Sequence, residues 1–149
     1  MTDRSAFSDD QWHALTDAPV AIMLAMALVG DHGPISMMKE STAGAKAIAR
    51  PAHSGPADVL ISQIVPEAAD KEARHDARRH QGSTPNVVVD GLLTDVTAAV
   101  DALSGIPAEE SAQVRQWYYD IGAAVAAASK GVKPAEQELL DRLSATLGL

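Results

Sequence analysis

One local pattern appears twice in the chain, and it leaves few folds open. Each copy is an apolar, alanine-rich stretch of helical length, then a glycine-containing turn, then a second helix with an early glutamate. The first copy runs from Val20 to Glu40 (VAIMLAMALVG-DHGPIS-MMKE), the second from Ile121 to Glu138 (IGAAVAAASKG-VKP-AEQE). A helix that is apolar all round must be buried on every side. Two of them need further helices to enclose them. The pattern therefore predicts an all-α single domain of about seven helices, residues 1–149, with a pseudo-twofold helix-turn-helix repeat. Its buried pair is Pro19–Val29 and Val114–Ser129, with Val20–Val29 beside Ile121–Ala128 in the interior.

A chain of 149 residues is long enough to bury about two thirds of its surface without a covalent staple. It has no cysteine, which excludes disulfides, thiolate nucleophiles and Cys-ligated zinc or iron–sulfur sites and fits a cytoplasmic setting. Only five residues are aromatic, so the core must be Ala, Leu, Val, Ile and Met. The net charge is −8, and neither half is basic. A broad phosphate-neutralising face is excluded on that balance, and with it a nucleic-acid partner. The start, MTDRSAFSDD, lacks the positive region and apolar run of a secretory signal. The longest apolar run, Ala18 to Gly30, is shorter than the roughly 20 residues a membrane span needs. The expectation is a soluble cytoplasmic protein with no transmembrane segment.

Ser8 and Gln11 form a capping box, with Phe7 and Trp12 at the staple positions, and start a short first helix. Pro19 starts the second, which ends at Gly30. Ser36 caps a third, ending before Pro51. Pro56 opens a fourth on Val59, Leu60 and Ile64, and Pro66 predicts a kink or break. Residues 66–84 form a charged stretch, either a helix with Glu67–Lys71 and Asp70–Arg74 pairs or a mobile arm. Thr84 and Pro85 begin the stripe Val89, Leu92, Leu93, Val96, Val100, Leu103. Pro107 begins the stripe Val114, Trp117, Tyr118, Ile121, Val125. Pro134 begins the last helix, on Leu139, Leu140, Leu143 and Leu147, with Gly148 as its stop. No period-2 run predicts a strand.

The two turns align on their glutamates: D-H-G-P-I-S-M-M-K-E against S-K-G-V-K-P-A-E, each with an apolar residue (Ile35, Val132) after glycine. An acid in a helix's first turn is favoured by the helix dipole alone. The first half, through Asp31, Gly33, Ile35, Ser36 and Glu40, also resembles the tellurite-resistance TerB-like family; Gly131, Val132, Glu136 and the LGL ending carry the likeness in the second half. The resemblance implies an all-helical pseudo-twofold fold, a divalent cation bound through such acids, and a place in stress-response assemblies at or near membranes. It points to Asp31 and Glu40 as metal ligands, with His32 as an optional third and backbone carbonyls and water completing the shell. Ser129, Lys130 and Lys133 stand where the second half would need acids, so a second site is not expected.

Other groupings carry less. Lys71–His80 reads as a solvated helix face, or as a dock for an acidic partner; His75 and His80 are too far apart for a zinc pair on one helical face. Met23, Met26, Met37 and Met38 read as core packing rather than copper ligands. Trp117 and Tyr118 lie on the core stripe and Tyr119 off it. No nucleophile elbow, zinc-protease motif, phosphate loop or dinucleotide fingerprint occurs. The expectation is a non-enzymatic binding module with a protein partner. The alternatives are a small-ligand binder lined by Met23, Met26 and Trp117, or an accessory subunit of a larger complex.

Overall fold

The computed structural model describes residues 1–30, 34–73, 85–128 and 131–149. Among these residues a 3-10 turn (Arg4–Ala6) is followed by six α-helices: α1 (Asp9–Val29), α2 (Pro34–Ala49), α3 (Asp58–Ala73), α4 (Pro85–Leu103), α5 (Ala108–Ala127) and α6 (Pro134–Leu147). The chain is all-α, and its packing is consistent with an internal pseudo-symmetric arrangement of the α1–α2 and α5–α6 hairpins. α1 is the central element and packs against all five other helices, while α5 packs on α1, α2 and α6.

The helix starts follow local chemistry. Ser8 Oγ accepts from the Gln11 N–H at 3.2 Å, and Gln11 Oε1 accepts from the Ser8 N–H at 2.9 Å. Phe7 and Trp12 pack with ring centroids 6.2 Å apart, which closes the staple. At the far end Gly148 stops α6 at φ +69°, a left-handed position that favours glycine.

The break expected at Pro19 does not occur: α1 is one helix of 21 residues with Pro19 inside it. Proline removes an N–H and leaves the carbonyl four residues back without its helical partner. Here that carbonyl is Leu15, and the Tyr118 hydroxyl donates to it at 2.8 Å. Tyr118 is fully buried, and burial pushes its phenol far above the ordinary range, so it stays a donor. α3 likewise runs through Pro66 to Ala73. Ser62 and Pro66 are both exposed, so water can serve the released carbonyl. The first part of the charged stretch is thus helical; residues 74–84, with His75, His80 and Thr84, lie outside the described residues. Lys71 reaches across to α1, 2.7 Å from Asp17 Oδ1 and 2.6 Å from Thr16 Oγ1, rather than along α3 to Glu67.

The core is built from the expected stripes. Leu92, Val96, Leu103, Val114, Trp117, Ile121, Val125, Leu139, Leu143 and Leu147 are all buried. α1 and α5 touch through small residues: a Cβ on Gly122 would meet Ile22 Cγ2 at 3.3 Å. The apolar helices are not enclosed on every side, however. Leu24, Ala27 and Leu28 are half-buried, and Ala127 is exposed. Alanine has so little apolar area that leaving one in water costs little. By length and composition α1 is long and apolar enough to cross a membrane, and more than half of it is buried within the fold.

Candidate functional site

Three elements meet where α1 ends. Gly30 closes α1 by donating its N–H to the Met26 carbonyl at 3.1 Å. Its φ of −78° is open to any residue, so backbone freedom does not explain the glycine. Space does. A Cβ at this position would lie 3.0 Å from both carboxylate oxygens of Glu40 and 3.1 Å from Oε1 of Glu136. Glu40 comes from α2 and Glu136 from α6, and their relative exposures are 0% and 1%. The two carboxylates are therefore separated by no more than the sum of those distances, against a bare Cα.

The two acids reach this point by different routes. Glu136 is the third residue of α6, and its Oε2 accepts from the Lys133 N–H at 3.0 Å, which caps the helix. Glu40 is the seventh residue of α2, whose first turn holds no acid. The dipole effect fades within the first turn. It accounts for Glu136 and leaves Glu40 unexplained, contrary to the expectation that one local rule serves both. Removing a carboxylate from water costs several kcal/mol unless charge or hydrogen bonds offset it. Glu40 does engage a partner within the fold. Two buried carboxylates this close bring oxygens from both hairpins to one small space, a donor arrangement that a cation between them would suit. One divalent cation bridging two oxygens sets them about 3 to 5 Å apart, which lies within the limit Gly30 imposes.

Of the residues expected to bind metal, Glu40 is thus buried at this junction, while Asp31 and its neighbour His32 lie outside the described residues. No group of three His, Cys, Asp or Glu side chains suited to a metal ion occurs among the described residues. Sequence reasoning passed over Glu136, because Lys130 and Lys133 made the second turn look hostile to a cation. The usable signal was the alignment of the repeats on their glutamates: pseudo-twofold packing brings equivalent positions together.

The other expected groupings resolve differently. Met23 and Met26 are core residues, but Met38 is 70% exposed, so the methionines are not uniformly core. Met38 lies three residues after Ile35 and four before Thr42, on the face of α2 turned from the fold. The side chain of Met37 lies outside the described residues. Trp117 is buried and donates its indole N–H to the Ala47 carbonyl at 3.2 Å. Tyr119 is half-buried. His53 Nε2 sits 3.8 Å from Asp120 Oδ2 at the surface.

No protein-family model, curated protein or solved structure matches this chain.

Proposed function

We propose that the protein is a non-enzymatic cytoplasmic helical binding module, related to stress responses, whose α1–α2 and α5–α6 hairpins jointly hold one divalent cation between Glu40 and Glu136. The observation that carries the reading is the convergence of two buried carboxylates, one from each repeat, on the bare Cα of Gly30. The donor set is all oxygen, which suits a hard cation such as calcium, magnesium or manganese. Asp31, one residue beyond Gly30 in sequence, is the proposed third ligand, and carbonyls and water complete the shell. The resemblance to TerB-like proteins supports a cation held by acids of such turns. The role of the cation is to tie the ends of the two hairpins together, so that occupancy tunes the surface offered to a protein partner.

Calorimetric titration and thermal melting with calcium, magnesium, manganese and zinc test this. We expect one cation per chain. At a concentration about 100 times Kd it adds about 2.7 kcal/mol, which raises Tm by about 5 to 10 °C for a domain of this size. Glu40→Gln and Glu136→Gln each abolish the rise. The amide oxygen introduced by Glu136→Gln still accepts from the Lys133 N–H, so the cap of α6 survives. The absence of heat and of a melting shift with all four cations, or a shift retained in both variants, overturns the proposal.

A further inference from the structure

The face of α2 turned from the fold is both apolar and cationic. Ile35 and Met38 are 72% and 70% exposed. Lys39 and Lys46 follow at helical spacing on the same face, with Arg50 just past the helix end, and all three are exposed. None of the three takes part in an ion pair among the described residues. α2 contains one acid, Glu40, and it is buried. An outward face with three cations and no anion stands out in a chain of net charge −8.

This face also has a depression. A groove of about 360 Å³ runs along α2 to the end of α5, lined by Met38, Lys39, Thr42, Ala43, Lys46 and Ala128. The Thr42 hydroxyl is tied back to the Met38 carbonyl at 2.8 Å, so the residue offers its methyl group more than a polar tip. The groove thus has a largely apolar lining of Met38, Ala43, Ala128 and the Thr42 methyl, with Lys39 and Lys46 on its border.

We infer that this groove of α2 docks an acidic amphipathic helix of a partner protein. Charge complementarity sets the sign of the partner. The spacing sets its form: Lys39 and Lys46 are seven residues apart, about 10 Å along the helix axis, which matches carboxylates one heptad apart on a helix packed alongside. One apolar side chain of that helix would enter the groove between them. The described residues contain no strand whose edge an extended peptide could augment. A flat anionic bilayer would meet the lysines but would not fill an indentation. The inference is independent of whether a cation binds at Glu40 and Glu136.

The probe is a synthetic alanine-based helix with leucine at its a and d positions and glutamate at e and g, labelled for fluorescence anisotropy and titrated with the full chain. Its control carries lysine in place of glutamate, and vesicles of phosphatidylserine and phosphatidylcholine form a parallel arm. We expect the acidic peptide to bind at least tenfold more tightly than the basic one, with affinity falling as salt rises. Lys39→Glu/Lys46→Glu should weaken it at least tenfold and Met38→Ser about threefold, with unchanged circular dichroism melts because these side chains face outward. Equal binding of the two peptides, no binding of the acidic one, or full affinity in the double variant overturns the inference. Lysine-dependent binding to vesicles without binding to the acidic peptide overturns it in favour of a lipid surface. Loss of cation binding in Glu40→Gln, with peptide binding intact, leaves this inference standing and separates it from the proposed function.

Discussion

The α1–α2 and α5–α6 hairpins share a sequence grammar and use it differently. In the first, Gly30 keeps an ordinary backbone and is small so that two carboxylates can approach it. In the second, Gly131 is left-handed at φ +91° and nothing crowds it, so its job is to turn the chain. Glu136 serves its own helix as a cap, while Glu40 sits beyond the reach of any cap and is buried at 0% exposure. The difference teaches that a repeated motif reproduces geometry more readily than it reproduces the task of each residue. Both copies bury their glutamate, and one of the two also uses it to cap its own helix.

The sharpest test of this asymmetry is the same substitution made in both hairpins. A Cβ on Gly44 would lie 2.5 Å from Met23 Cγ and 3.1 Å from Val125 Cγ2, so α2 must back away from α1 and α5. Gly44→Ala is expected to lose about 2 to 3 kcal/mol, even after the helix-propensity gain of about 1 kcal/mol. At Gly122 the closest atom, at 2.9 Å, is a terminal methyl of Leu143, which can swing aside. Gly122→Ala should cost less than about 1 kcal/mol by the same reasoning. Urea unfolding measures both, and equal losses would erase the contrast. Next in size is Tyr118→Phe, which takes the hydroxyl from the Leu15 carbonyl and leaves a buried acceptor unmet, at about 1.5 kcal/mol. A variant as stable as the parent would mean that Pro19 needs no outside donor.

The smallest effect is one of slope. Glu110, in the first turn of α5, is only 5% exposed. The Thr2 hydroxyl holds its carboxyl below the ordinary 4.5; burial opposes this, and the Thr2 N–H, 3.0 Å from Oε2, assists it. A lowered folded-state pKa contributes stability that is present above the unfolded value and is lost as pH falls through the folded one. Stability should therefore decline below about pH 4.5, and Glu110→Gln should flatten that decline. An unaltered acid slope would show that the contact with Thr2 contributes nothing.

The stripes of α4, α5 and α6 were legible because periodicity is a local property: Leu92, Val96, Trp117, Ile121, Leu140 and Leu143 could be placed without knowing what they touch. Pro19 was misread for the converse reason. A local rule sees the missing N–H, and the group that answers the freed carbonyl lies 103 residues away from it. Met38 followed the company of Met23 and Met26 in composition, but its own phase on α2 put it outside. At the candidate site Glu40 was identifiable from its turn. Its companion was not, because Lys130 and Lys133 were weighed as neighbours in sequence, whereas Glu136 is a neighbour in space.

The Leu15–Tyr118 hydrogen bond also sets an order of events. α1 is synthesised before α5, and until α5 packs onto it only water can answer the Leu15 carbonyl. The proline turn of the central helix can therefore be sealed from solvent only when α5 brings its hydroxyl, and an intermediate lacking α5 would expose part of the apolar second half of α1, a surface prone to aggregation.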